Sequence, residues 1–282
     1  MVTIAAEKPI TPRSSVPFDL TRAGLIGLTL IATGAILVLI GVVLWLSFTE
    51  GTPGDPVLTY TLDHYRAMFL DSFTYRVLWN TALFSATTLA TSFALALPIA
   101  WLMERTDFPG KPIVFTLMTV ALLIPSFAVA LGWVFLLHPK IGLINQGLIA
   151  LFGLSDAPLD VSNIGAMGVV EGMNLTPLAF IMTAVVLRSM DPALEEAAAI
   201  SGAKPWQAVM RITLRVLLPG LLAAAIYIAM IGFAAFDVPA ILGLTRRIFT
   251  FSTYVFWVLT PSEGAPEYGN VATLSVIMIA VA

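Results

Sequence analysis

"EEAAAISGAK", residues 195–204, lies between two long apolar runs, yet it carries two adjacent carboxylates, three alanines, a glycine and a lysine. Asp191 and Pro192 ahead of it read as an N-cap and a first-turn proline. Glu195 and Glu196 fall where the positive end of a helix favours carboxylates. Gly202 is the natural stop, because a left-handed C-cap costs glycine nothing. Pro205 opens a second short helix, Trp206 to about Leu214, and Pro219 marks entry into the next apolar run. The stretch predicts a helix-turn-helix at the face of a membrane, with alanines that let another backbone approach closely and a carboxylate available for a cation. An ordinary solvated connector is the alternative reading of the same residues.

The surroundings place this loop in a bilayer. The chain of 282 residues is 59% hydrophobic, 11% charged and has a mean hydropathy of +0.94, whereas soluble domains keep about a quarter of their residues charged. A helix needs roughly 20 apolar residues to cross the hydrocarbon core. Five such runs are complete: Ala23–Phe48, Leu78–Met103, Ile113–Leu137, Ile164–Leu187 and Val216–Phe236. A sixth, Val271–Ala282, is short, so the sequence is expected to be a piece of a longer chain. The first run exceeds the roughly 7–15 residues of a signal h-region and has no small-residue cleavage site after it, which makes it a retained helix. Without cysteine, disulfides, thiolate metal sites and cysteine nucleophiles are excluded.

Alternating connections divide the basic residues unevenly. Lys8, Arg13 and Arg22 in the tail 1–22, Arg105 and Lys111, and Arg188, Lys204, Arg211 and Arg215 in the loop 188–215 lie on one side. Arg66, Arg76, Lys140, Arg246 and Arg247 lie on the other. The positive-inside rule then puts the N-terminus and the 188–215 loop in the cytoplasm. Glu50, Asp55, Asp63 and Asp71 crowd the first outside loop, although carboxylates carry little weight in this rule.

The stretch "EAAAISGAKPWQAVMRITLRVLLP" resembles the EAA loop of bacterial ATP-binding-cassette importer permeases. In that pattern Glu-Ala-Ala is followed after three residues by Gly, and after nine more by Ile-x-Leu-Pro. Glu196, Ala197, Ala198, Gly202, Ile212 and Leu214 fall on its positions. Arg215 stands where the pattern has proline, with Pro219 four residues later, a departure that bears on where the next span begins. The resemblance implies that this loop, with Glu195, forms coupling helices that insert into a cleft of the ATPase subunit. The stretches "LPIAWLMERTDFPGK" and "VVEGMNLTPLAFIMTAVVLRSMDPALEEAA" are similar to ferric-iron-type permeases, often fusions of two six-helix halves, each with its own EAA loop. One such loop is present here, which implies the first half of such a fusion.

Other chemistry is missing from the sequence. No G-x-x-x-x-G-K-[ST] phosphate loop occurs, so ATP hydrolysis falls to a partner. His64 and His138 lie in separate expected outside loops without zinc spacing and read as loop residues. No serine sits in a G-x-S-x-G context. No cofactor or metal site is expected.

Three features concern a transport path. Glu171 and Asn174 fall in the outer third of the fourth span, close to Thr176 and Pro177. An ionisable group at membrane depth marks a pathway by default, while a carboxylate this near the interface can also snorkel to water. Pro98 and Pro125 within spans, and Pro239 just past the fifth, suit bent helices lining a path but occur in static bundles too. Asp237 ends the fifth span and is a candidate for the vestibule where a binding protein delivers substrate. Phe249, Phe251, Tyr254, Phe256 and Trp257 read as an interfacial aromatic belt, with a binding-protein dock as a second use.

The expectation is an all-α integral membrane protein. The resemblance makes it a six-helix permease bundle of the type I importer kind, with a cytoplasmic EAA coupling loop, in the bacterial inner membrane. Its implied partners are the ATPase subunits, a periplasmic or lipid-anchored substrate-binding protein, a second permease half and membrane lipid, but not nucleic acid. Ferric iron is the implied substrate, with polyamine, thiamine or phosphonate as alternatives. A secondary transporter would predict an inverted repeat and several intramembrane charges, against one glutamate and no repeat here.

Overall fold

The computed structural model describes residues 20–51, 59–191, 193–261, 264 and 266–281. Lys8, Arg13, Asp55, Pro192 and Ala282 lie outside the described residues, so the expected tail before residue 20 and the first-turn proline are not described.

Helix α1, Leu20–Leu46, leads through a short hairpin, β1 Thr49–Glu50 and β2 Thr59–Tyr60, to α2, Asp63–Leu70. The longest helix, α3, Ser72–Arg105, starts where the Asp71 carboxylate accepts from the Phe73 amide at 2.9 Å. Helices α4, Lys111–Ala121, α5, Ser126–Leu137, and α6, Leu143–Phe152, follow. The next, α7, Ile164–Arg188, is capped by the Asn163 side chain, which accepts from the Ala166 amide at 2.9 Å.

The expected third span, Ile113–Leu137, is not one straight helix: α4 and α5 meet at 99°. Pro125 explains the break, because it has no N–H to continue the α4 ladder and its ring pushes Ile124 out of helical backbone. Amides of Leu123 and Ile124 close the end of α4 with tight bonds to Val120 and Ala121 instead.

Beyond α7 come α8, Ala193–Ile200, α9, Pro205–Ala208, a π turn at Val209–Thr213, and α10, Leu214–Ala234. The expected second short helix therefore does not stop before the fifth span. It runs into it through the π turn, and Pro219 lies inside α10 rather than at its entry. The polypeptide ends in α11, Asp237–Gly243, a 3₁₀ turn at Leu244–Arg246, α12, Phe251–Leu259, and α13, Tyr268–Val281.

Among the described residues four helices are long and apolar enough to cross a membrane, or five if the bent α4–α5 pair counts as one span. At the centre α7 packs along α3, and α10 lies across both. The α3–α7 contact is close because Gly168 and Gly172 face Thr87, Thr88 and Thr91, and the Thr88 hydroxyl donates to the Gly168 carbonyl at 3.2 Å. Around this pair Phe84, Phe180, Met167 and Ile228 are wholly buried. In contrast α1 has no buried residue along its apolar span and packs chiefly on α13. Phe249 and Phe251, expected in an interfacial belt, are core residues at 6% and 0% exposure, packed with Met68, Val77 and Leu274. His64 is not in a loop but on α2, where Nδ1 lies 2.7 Å from Asn270 Oδ1 and Nε2 3.2 Å from the Thr49 carbonyl.

Candidate functional site

The 191–214 segment takes its shape from local chemistry. Asp191 Oδ1 accepts from the Ala193 amide at 3.0 Å, which starts α8. Gly202, at φ +83°, ends it in left-handed backbone while the Ala203 amide reaches back to the Ala198 carbonyl at 3.0 Å. Ala198 is buried and anchors the helix, whereas Glu196, Ala197 and Gly202 are exposed. Ile212 and Leu214 are half-buried on the far side of the π turn.

The two adjacent carboxylates point different ways. Glu196 faces outward, while Glu195 Oε1 accepts from Thr213 Oγ1 at 2.5 Å and from Arg105 Nε at 3.3 Å. Arg105, whose side chain is 8% exposed, also donates to the Leu187 and Met190 carbonyls at 3.0 and 3.3 Å. One guanidinium thus ties the end of α3, the end of α7 and the loop together. Beside it Arg188 pairs with Glu104 at 2.9 Å and lies over the Phe115 ring. Sequence reading missed Arg105, Thr213 and Glu104, because they are distant from the loop motif or lack a motif of their own. It also missed Ile200, 88% exposed on α8, whose apolar side chain among charges was the available signal.

Near the opposite end of α7, Glu171 is buried at 4% exposure. It lines a cavity of about 370 Å³ with Asn174, Ser126, Phe236 and Asp237. The path residues named from sequence on separate spans are therefore brought together. Asp237 opens α11 after the α10 helix stops at Ala234, and Ser126, at the start of α5 just beyond Pro125, donates to its carboxylate. Among the described residues no lysine or arginine lines this cavity. Ser126 was missed because only the bend at Pro125 turns it inward. Among the described residues no three His, Cys, Asp or Glu side chains cluster as a metal site.

A family model described as "Binding-protein-dependent transport system inner membrane component" matches residues 96–281. The chain is 27% identical over 222 residues, 73% of its length and 72% of the relative's, to the inner membrane ABC transporter permease protein YcjO of Escherichia coli K12. It is 25% identical over 203 residues to the trehalose transport system permease protein SugA of Mycobacterium tuberculosis H37Rv, covering 70% of this chain and 64% of SugA. The molybdenum transport system permease protein ModB of Escherichia coli K12 is 31% identical over 153 residues, 52% of this chain and 64% of ModB. In structure, the chain superposes on a chain of a bacterial ABC transporter involved in the import of the acidic polysaccharide alginate with a TM-score of 0.70. That match covers 93% of this chain and 92% of the other at 22% identity.

Proposed function

The chain belongs to the family of binding-protein-dependent transport system inner membrane components, and we propose that it carries a positively charged substrate, ferric iron, through the cavity at Glu171 and Asp237. It is a multi-pass membrane protein with the fold of type I importer permeases and is the permease of a binding-protein-dependent ABC importer. ATP hydrolysis belongs to a separate subunit, and delivery of the substrate to a binding protein.

The remaining roles are proposals. The N-terminus and the 188–215 loop lie in the cytoplasm. Glu196, Ala197, Ala198, Gly202, Ile212 and Leu214 form the docking surface for the ATPase, and Glu195 holds that surface in place. ATP closes two ATPase subunits, the loop transmits the motion to α3, α7 and α10, and a second permease half completes the path.

The observation that carries the cargo reading is the pairing of Glu171 and Asp237 in one cavity that no basic residue lines among the described residues. Two carboxylates repel an oxyanion and attract a cation, and oxygen donors suit a hard metal ion. This weighs against a phosphonate, and against the molybdenum and acidic-polysaccharide cargoes of the two relatives so described. The iron identity rests on the subfamily resemblance; the relatives named above are not described as iron permeases. A neutral sugar is the second reading, favoured by Phe236 beside the two carboxylates and Asn174, a set able to stack on a ring and bond its hydroxyls.

Uptake of radiolabelled ferric iron at low external iron, with spermidine and trehalose run in parallel, tests this in cells with and without the gene. Loss of iron uptake alone is expected. Loss of trehalose uptake with iron unchanged would replace the cation reading by the sugar one.

A further inference from the structure

The α3 helix ends at Arg105 beside the coupling loop, and at its opposite end a second cavity, of about 190 Å³, opens where α2, the start of α3, α12 and the start of α13 converge. Buried Met68 and Leu274, with Val258, give it apolar walls. Asp71, Tyr254 and Asn270 bring polar atoms to the same lining. The space is smaller than the roughly 300–1,000 Å³ of small-molecule sites and suits one long side chain.

Asp71 sets its charge. The residue is exposed, Oδ1 is taken up in capping α3 through the Phe73 amide, and Oδ2 receives only a 3.4 Å contact from the Thr74 hydroxyl. Among the described residues no lysine or arginine lines the cavity or pairs with this carboxylate. His64 turns both ring nitrogens to other oxygens, Asn270 Oδ1 and the Thr49 carbonyl. The uncompensated charge is felt by its neighbour: burial, and then the Asp71 carboxylate, push the Tyr254 hydroxyl above its ordinary value of 10.0. A carboxylate over apolar walls matches a lysine or arginine, whose stem lies along hydrocarbon while its charged head meets the anion.

Which chain supplies that cation follows from position. With the coupling loop in the cytoplasm, as proposed above, this cavity opens on the outer face, where a binding protein delivers substrate. We propose that it is a docking socket for one lysine or arginine side chain of the substrate-binding protein, paired with Asp71. The inference rests on the importer reading and adds to it the place and charge of the contact. Helix α12 joins the socket to the path, because Tyr254 lines the socket while the Phe256 ring lies 5.3 Å from Phe236, which lines the Glu171 cavity.

The photoreactive residue p-benzoylphenylalanine, placed at exposed Ala67 in the lining, is irradiated in whole cells carrying the assembled transporter, and the adducts are mapped by mass spectrometry. The expected adduct is with the substrate-binding protein, in a peptide that holds a lysine or arginine. That protein is then purified and its affinity for the transporter in nanodiscs is measured. Asp71→Asn keeps a capping side chain for α3 and removes the charge, so affinity falls about tenfold and depends less on salt. Asp71→Lys abolishes binding, and glutamate at the crosslinked lysine or arginine of the binding protein restores it, a rescue that a misfolded variant would not show. Should Asp71→Lys not fold, Asp71→Asn carries the test. A binding-protein adduct with unchanged affinity in Asp71→Asn would overturn the socket and leave the importer reading standing. An adduct with the ATPase subunit would put this face in the cytoplasm and overturn the orientation beneath the inference. Adducts only with a second permease chain or with lipid, or none at all, would overturn the choice of partner.

Discussion

Arg105 and Glu195, 90 residues apart in sequence, meet at 3.3 Å across the junction of the α3 end with the coupling loop. The guanidinium also accounts for two carbonyls at the end of α7, so the loop cannot move without moving α3 and α7. Adjacent glutamates thereby acquire separate work, Glu195 inside the joint and Glu196 on its outer face. Glu195→Gln retains a hydrogen bond to Thr213 but loses the charge that Arg105 meets. Arg105→Ala strips one partner from a half-buried carboxylate, which keeps Thr213, and a donor from the Leu187 and Met190 carbonyls, and costs about 1–3 kcal/mol. The expected outcome is a lower unfolding temperature for Arg105→Ala, and for both variants ATP hydrolysis that continues while uptake falls. Uptake and hydrolysis falling in step would show that the joint does not transmit.

On the outer face, Glu196→Lys and Ile200→Asp change exposed side chains and leave stability within about 0.5 kcal/mol of the parent. Both should nonetheless weaken retention of the ATPase subunit about tenfold or more, the scale of an interface anchor. Co-purification with tagged ATPase checks this. Unchanged retention in both variants would move the docking surface away from α8.

Outside the spans, Arg246 Nη1 lies 2.5 Å from Asp160 Oδ2 and ties the loop before α7 to the turn after α11. Burial pushes the Asp160 carboxyl upward, but the Ser162 amide and the Arg246 guanidinium outweigh it and hold it below its ordinary value of 3.8. With the folded value below the unfolded one, the pair's stabilisation is full above about pH 4 and is lost as pH falls through the folded value. Both side chains are more than a third exposed, so the contribution is limited by solvent screening to about 0.2–1 kcal/mol. Thermal unfolding of Asp160→Asn should fall slightly short of the parent at pH 7 and match it only once the pH is below the folded value of Asp160, and the gap at pH 7 should close in high salt. A gap that persists at low pH would show the contact is not ionic.

What could be read from sequence alone follows from the range of the forces involved. Asp191, Gly202 and the apolar runs act locally, so the start and stop of α8 and the course of α3, α7 and α10 were legible. Pro125 was noticed, yet a proline in an apolar run permits anything from a slight bend to the 99° turn observed, and neighbouring helices decide. Pro219 gave the opposite error: it reads as a boundary, but the π turn and α10 carry the helix through it. Glu171 was singled out as a charge at membrane depth and Asp237 as a vestibule candidate at the end of the fifth span, whereas their sharing one cavity depends on how α7 and α11 pack. The inward turn of Glu195 depends on Arg105, for which the loop motif holds no information.

The α3–α7 interface offers the sharpest structural prediction. Gly168 and Gly172 are one turn apart on α7 in the sequence "GVVEG", a small-xxx-small pattern that lets two backbones approach. A Cβ on Gly168 would sit 1.8 Å from Thr87 Oγ1 and 2.9 Å from the Phe84 carbonyl; on Gly172 it would sit 2.8 Å from the Thr88 carbonyl. Thr87 can swing aside, but the carbonyls belong to α3 itself, so α7 must shift. Gly168→Ala and Gly172→Ala should each cost about 1–3 kcal/mol. Gly147→Ala, on exposed α6 with nothing within 4 Å of the new carbon, should gain roughly 0.5–1 kcal/mol from helix propensity. Glu171 lies between the two interface glycines, so a displaced α7 also changes its spacing from Asp237. Uptake by Gly172→Ala should therefore fall further than the loss of folded protein explains, measured per folded molecule by a thermal-shift assay beside transport. Uptake tracking the folded fraction alone would separate α7 packing from the path and leave Glu171 a structural carboxylate.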